Sequence, residues 1–174
     1  MPANLDTLRD QPLRLIGPAT DTLASGGSIG SWRREMERAI RLSQTASYIA
    51  AVKDRTGVMP KGLSRVERKE LDARIAVQVK YLDGFAADLR AGKLSPAQAA
   101  ARANLYAGAV RGAYYAARYL GLNAYPGDGS TPCKGNCKCT LEERDGKIWW
   151  VLHPAEHCDG CVSRASASPY QVAA

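Results

Sequence analysis

Apolar residues recur at spacings of three and four along the middle of the chain, which is the period of an α-helix. The pattern predicts a first helix from Ser31, a good N-cap, to about Lys53. After a break rich in glycine and proline, Ser64 and Glu67 form a capping box that starts a second helix. Its apolar residues alternate spacings of three and four, which is typical of a helix-packing seam.

A second capping box, formed by Ser95 and Gln98, predicts a third helix that ends at Gly121. Its apolar positions are mostly alanine and glycine, and small side chains let neighbouring backbones approach closely. We therefore expect this helix to lie between other helices or between subunits, with its tyrosines used in packing. Short connections favour antiparallel neighbours, so the predicted fold class is mainly α, with a three-helix antiparallel bundle.

The two ends of the chain have a different composition. Prolines and glycines interrupt residues 1–30, which predicts an extended N-terminal arm, with room for one short helix around Leu5 to Leu13. In an assembly the arm would lie on a neighbouring molecule, and in a monomer it would be a disordered end. Near the other end, residues 139–144 and 147–152 read as two strands, and Asp145 and Gly146 between them favour a two-residue hairpin turn. The sequence thus predicts an extended arm, a helical domain and a cysteine-rich zinc-binding module, at 1–30, 31–121 and 122–174.

The 174 residues carry a formal net charge of +7, and the excess lies on the predicted helices. Residues 31–118 hold 17 lysines and arginines against 8 aspartates and glutamates, a net of +9. Such a surface accepts phosphate, so contact with DNA is one interpretation and a solvated arginine-rich face is the other. Neither a membrane span nor a secretory signal is expected from the sequence, which favours a reducing cytosol.

All five cysteines lie in the last quarter of the chain, and we call them the cysteine cluster. They are Cys133, Cys137, Cys139, Cys158 and Cys161. Sharp turns on either side of a hairpin can present thiolates to one ion, so we predict a zinc-ribbon-like β-hairpin module with structural Zn²⁺. Which four of the five bind stays open. His157, next to Cys158, is an alternative ligand, and disulfides are the alternative to a metal.

Four thiolates around one ion leave no position for water, so the predicted site is not catalytic. The pair His153 and Glu156 lacks the spacing of a zinc deaminase, and no glycine loop has the lysine of a phosphate-binding motif. The sequence therefore predicts no catalytic residues and, apart from the metal ligands, no cofactor-binding residues. It predicts that the protein is not an enzyme.

Short segments along most of the chain carry a resemblance to a known family. They are SWRREM at 31–36, YLDGF at 81–85, GKLS at 92–95, ARANLY at 101–106, PGDGSTPC at 126–133, NCKC at 136–139, WVL at 150–152, EHC at 156–158 with Cys161, and SPY at 168–170. This resembles the minor head, or head-morphogenesis, proteins of tailed bacteriophages and prophages. The cysteine-rich tail is the specific part of the resemblance.

The resemblance implies a structural protein of the virion head that is made in the cytoplasm of the host bacterium. It would act in head morphogenesis with the major capsid protein, the portal protein or both, associate with its own copies, and in one orientation face packaged DNA. The cysteine-rich tail of the family corresponds in this sequence to the cysteine cluster. Longer members carry more helical sequence, which leaves open whether this chain lies inside the head, at the portal or outside.

Two interpretations of other classes remain. One is a sequence-tolerant DNA-binding protein that uses the basic helices and a zinc knob, and its binding would fall steeply with salt. The other is a metal-dependent enzyme of head maturation, which requires an open coordination position on the metal.

Overall fold

Most of the chain is helical, and a small antiparallel sheet lies beside the cysteine cluster, which confirms the mainly α prediction. The computed structural model describes residues 4–134 and 137–171. Asn136 of the NCKC segment, and residues 1–3 and 172–174 at the ends of the predicted arm and module, lie outside these ranges. The elements are α1 (Leu5–Ala24), α2 (Ile29–Thr56), α3 (Arg65–Arg90), α4 (Pro96–Gly108), α5 (Val110–Arg118), β1 (Thr140–Arg144), β2 (Lys147–Val151), α6 (Asp159–Ala167) and β3 (Tyr170–Gln171).

Helix α2 is the longest element, and α1, α3 and α5 all pack against it. Its N-terminal half contributes Trp32, Met36 and Ile40 to one apolar core, which α1, α3 and α4 complete. Its C-terminal half contributes Tyr48 and Val52 to a second core, which also contains the buried cysteines. One helix therefore connects the helical body to the cysteine-rich tail.

The predicted extended arm is wrong over Leu5–Ala24, which form α1. The side chain of Asn4 caps this helix by accepting hydrogen bonds from the N–H groups of Asp6 and Thr7. Pro12 lies inside the helix and removes a backbone donor there, but its side chain is buried with Ile16 against the other helices. Burial of this face outweighs the cost of proline, and the segment covers α2 and α4 of its own chain.

The predicted third helix is two helices, because the path changes at Ala109 between α4 and α5. With α1 added, the helical body is not the predicted three-helix bundle. The buried hydroxyl of Ser47 in α2 donates to the Val110 carbonyl oxygen at 2.7 Å. On the other side of α5, a β-carbon on Gly112 would lie 2.9 Å from the Asp128 Cα. Only glycine therefore leaves room for the linker to pack against α5 here.

The predicted hairpin is confirmed, with Leu141 of β1 opposite Trp150 of β2. Asp145 and Gly146 both have positive φ, 51° and 69°, as the tight hairpin turn requires. The short strand β3, which was not predicted, pairs with β2 to complete a sheet of order β1-β2-β3. Within the described ranges, none of the helices has the length and apolar character needed to cross a bilayer.

We predict that Gly112→Ala destabilises the protein by about 1–3 kcal/mol, because the added methyl group meets backbone atoms that cannot move aside. Urea unfolding measures the effect. The matched control is Gly84→Ala, also inside a helix, where the nearest atom is an arginine tip 4.0 Å away. Removing that helical glycine should stabilise the protein by about 0.5–1 kcal/mol. Equal changes in the free energy of unfolding for the two variants would contradict the close approach of Asp128 to Gly112.

Candidate metal centre

Two structural elements bring the cysteine cluster together. Cys133, Cys137 and Cys139 lie on the irregular segment that leads into β1, whereas Cys158 is the N-cap of α6 and Cys161 lies in its first turn. The predicted C-x2-C turn is therefore the start of a nine-residue helix, and the ribbon prediction is not confirmed.

Gly160 allows α6 to approach the other segment closely. A β-carbon on this glycine would lie 3.3 Å from a side-chain carbon of Thr131 and 3.4 Å from the ring of Pro132. Any larger residue would push these atoms aside, and with them the neighbouring Cys133. The glycine therefore sets the distance between the two groups of cysteines.

The sulfurs of Cys133, Cys137 and Cys161 all lie within 4.8 Å of one another and form a cluster that can hold a metal ion. The Cys161 sulfur is 3.6 Å from that of Cys133 and 3.6 Å from that of Cys137. The Cys158 sulfur is 3.7 Å from that of Cys133. These distances match the edge of a sulfur tetrahedron, which is about 3.8 Å when metal–sulfur bonds are about 2.3 Å.

None of the five cysteines forms a disulfide, so all the sulfurs are available as ligands. An S–S bond is about 2.05 Å long, and the measured sulfur–sulfur separations of 3.6–3.7 Å are far longer. The donor set is therefore one of reduced thiols, which suits a metal that prefers soft ligands.

Burial acts strongly on these thiols. It raises the pKa of Cys133 to about 11 and also raises the pKa values of Cys139 and Cys161. Cys158 differs: although burial opposes ionisation, the backbone N–H groups of Cys133 and Cys161 lower its pKa to about 7. Burial thus favours the protonated form of Cys133, Cys139 and Cys161, and a bound cation would supply the charge that stabilises their thiolate forms.

Cys139 lies on a different side of the cluster, next to a histidine. Its sulfur is fully buried and 3.5 Å from Nδ1 of His157. His157 in turn places Nε2 2.6 Å from the carbonyl oxygen of His153. The structure thus brings Cys133, Cys137 and Cys161 together with Cys158 beside Cys133, and it places the alternative ligand His157 beside Cys139.

The cysteines share their apolar core with the helical body. Leu141, Ile148 and Trp150 from the hairpin are buried with Tyr115 of α5 in the same cluster as Cys137. Trp150 is thus buried in the core that contains the cysteines, whereas its neighbour Trp149 is only half-buried.

Sequence reasoning missed Arg111 of α5, which fastens the cysteine segment to the helices. Its guanidinium donates to the carbonyl oxygen of Cys137 at 3.1 Å and forms an ion pair with Asp6 of α1 at 3.0 Å. An arginine next to a glycine, early in a helix that is otherwise almost entirely buried, was the available signal. It joins α1, α5 and the metal-binding segment.

Comparisons with protein-family models, with curated proteins and with solved structures found no match for this chain.

We predict that Cys161→Ser abolishes stoichiometric metal binding, because this sulfur is common to both of the shortest contacts in the three-cysteine group. Titration of the reduced protein with Co²⁺ measures metal binding through the thiolate-to-cobalt absorption. Val162→Ser is the matched control, since this neighbouring side chain is 44% exposed. Unchanged cobalt binding by Cys161→Ser would contradict the site.

Proposed function

We propose that this protein is a structural component of a tailed-phage virion, a minor head protein that acts in head assembly. The proposal rests on one observation, which is that protein encloses the candidate metal centre. Its donors are buried or half-buried cysteines that tie the tail to the core of the helical body. Such a centre stabilises a surface for assembly and offers little room for a substrate. The cysteine-rich tail is also the most specific part of the resemblance to the phage family.

The proposed metal is Zn²⁺, in a structural role. Reduced thiols at tetrahedral spacings are the donor set of structural zinc sites, and they hold zinc without any redox change. Cys133, Cys137 and Cys161 provide three ligands, and Cys158, 3.7 Å from Cys133, is best placed to provide the fourth. Four cysteine ligands leave the ion no position for water, which supports a protein that is not an enzyme.

The proposed partners are the major capsid protein, the portal protein or further copies of this chain. An exposed apolar corner between α2 and α3 supports such contacts, because Val58, Met59 and Val66 are 69%, 58% and 78% exposed. Leu63, within the same corner, packs against the core that contains the cysteines. A metal that stiffens this core would therefore also stiffen the surface that a partner meets.

The proposal predicts that particles produced by the genome encoding this chain contain it in a fixed number of copies per head. Mass spectrometry of purified particles measures the copy number, and zinc analysis of the same sample should give zinc in proportion to it. Cys161→Ser in that genome should lower incorporation into heads, because the tail loses its metal, whereas Val162→Ser should not. Purified particles that lack the protein would contradict the proposed role.

A second candidate function is sequence-tolerant DNA binding, and one feature favours it. Arg65, Arg68 and Lys69 share one exposed face of α3, at spacings of three and four. In the described part of the chain these three cations have no ion pair, whereas Arg33, Arg74 and Arg102 are each paired with a carboxylate. Part of the basic excess of the helical body thus lies on a face that is free to contact phosphate.

If this face binds DNA, replacing Arg65, Arg68 and Lys69 together by glutamine should weaken duplex binding and lower the salt slope by about 3, because three phosphate contacts are lost. Fluorescence anisotropy with a short duplex at several salt concentrations measures both. Replacement of the exposed Lys80, Lys138 and Lys147 removes the same charge elsewhere. If both triple variants weaken binding equally, the effect belongs to net charge and the DNA-binding face is wrong.

A further inference from the structure

A cavity of about 110 Å³ lies where α3 and α5 both pack on α2 and make little contact with each other. Gln44 of α2, Arg74 of α3 and Ala113 of α5 line it, and Asp128 of the linker lines it as well. None of the described residues in its lining is a cysteine or a histidine. The cavity is therefore a feature separate from the metal centre.

Gln44 differs from the other buried polar residues. In the described part of the chain these residues are Ser43, Gln44, Ser47 and Thr131. The hydroxyls of the two serines donate to backbone carbonyl oxygens, and that of Thr131 lies 3.2 Å from a cysteine sulfur. Gln44 is only 3% exposed, and its Oε1 atom has no hydrogen-bond partner among the described residues. A buried acceptor left unpaired costs free energy, which an apolar side chain at this position would avoid.

Arg74 brings a buried donor to the same cavity. Its guanidinium lies over the ring of Tyr125, 5.0 Å from the ring centre, and a terminal nitrogen pairs with Glu70 at 3.3 Å. These contacts hold the guanidinium in place, but its Nε atom is buried without a hydrogen-bond partner in the described ranges. An unpaired acceptor and an unpaired donor therefore belong to side chains that line one cavity.

The one carboxylate among the described lining residues already has partners. One oxygen of Asp128 accepts from the N–H of Tyr125 at 2.8 Å, and the other accepts from the N–H of Ser130 at 2.7 Å. These two bonds hold the turn of the linker. The oxygen of Gln44 and the Nε–H of Arg74 thus remain for a group that enters the cavity.

The two unpaired atoms define the chemistry of that group. A carboxylate only accepts, so it would not pair with the oxygen of Gln44, and an ammonium only donates, so it would not pair with Arg74. An amide has an N–H and a carbonyl oxygen side by side. The size agrees, because an apolar cavity of about 150 Å³ holds benzene, so one of about 110 Å³ accepts about four or five non-hydrogen atoms.

A second cavity, of about 120 Å³, adjoins the first. Gln78, Ala109 and Gly127 line both of them. Tyr81, which lines only the second, is 57% exposed, so this cavity opens at the protein surface. A ligand that places one group in the first cavity can therefore extend along the second.

We propose that the first cavity binds an amide group, which donates its N–H to Oε1 of Gln44 and accepts from Nε of Arg74. The amide belongs to a protein segment that lies along the second cavity, and it is either an asparagine or glutamine side chain or a main-chain peptide group. This binding site goes beyond the proposed role in the phage head and depends neither on that role nor on the metal.

NMR titration of the ¹⁵N-labelled full-length protein with three small probes tests the proposal. Acetamide mimics an amide side chain, N-methylacetamide mimics a main-chain peptide group, and acetate has nearly the shape of acetamide but no donor. We expect saturable shifts of the backbone signals of Gly112 and Ala113 with an amide and none with acetate. Tighter binding of acetamide would assign the site to a side chain, and tighter binding of N-methylacetamide would assign it to a main-chain group.

Two variants remove the two hydrogen-bonding atoms separately. Gln44→Leu should weaken amide binding by about tenfold, the loss expected for one hydrogen bond. It should also raise the urea midpoint of the ligand-free protein, because a buried unpaired acceptor is removed. Arg74→Lys keeps the charge but removes Nε, and it should weaken amide binding as well. The matched control is Arg90→Lys, at an exposed position of the same helix, which should leave amide binding unchanged.

Three results would overturn the proposal. The first is a folded protein whose signals neither amide shifts, and the second is acetate binding as tight as acetamide binding. The third is a Gln44→Leu protein that has a lower urea midpoint or does not fold, because the oxygen of Gln44 would then already have a partner such as internal water. Arg74→Lys tests the site independently of position 44, and unchanged amide binding by this variant would also contradict it.

Discussion

The structure depends on burying cysteine sulfurs in a core that the tail cannot build alone. Cys137, Cys139 and Cys161 are at most 2% exposed, and their apolar neighbours come from α2 and α5 as well as from the hairpin. Burial of neutral thiols adds little free energy by itself and opposes their ionisation. A metal bound by the ionised sulfurs would resolve this conflict, and its binding would then be coupled to folding of the tail.

The helical body is arranged to receive this tail. Almost every residue of α5 is buried, and its small side chains let α2 and the linker approach from two sides. Arg55 of α2 donates to the Ala117 carbonyl of α5 and pairs with Glu67 of α3 at 2.6 Å, which joins three helices at the end near the cysteines. Arg111 makes the corresponding connection to the Cys137 carbonyl. Polar contacts thus fix the position of α5 relative to α2 and the cysteine segment.

Local signals made part of this structure predictable. Both capping boxes, at Ser64 and Ser95, and the hairpin turn at Asp145 lie where the sequence places them, because each is decided by residues within a few positions. The sequence allowed only a short helix around Leu5 to Leu13, because proline inside a helix is normally a breaker, and contacts with α2 and α4 outweigh that cost over the rest of α1. The break at Ala109 also lacks a local signal, and the helices on its two sides have different main neighbours, α1 for α4 and α2 for α5.

The metal centre shows the same division between local and non-local information. The sequence pointed to the five cysteines as candidate ligands, because their spacing is a local property. It did not show which sulfurs lie together or that His157 lies beside Cys139, because both depend on the packing of α6 against the segment before β1. Cys161 is held in the first turn of a helix, and Cys137 is held by the hydrogen bond from Arg111 to its carbonyl oxygen. The fold itself therefore places these two sulfurs 3.6 Å apart.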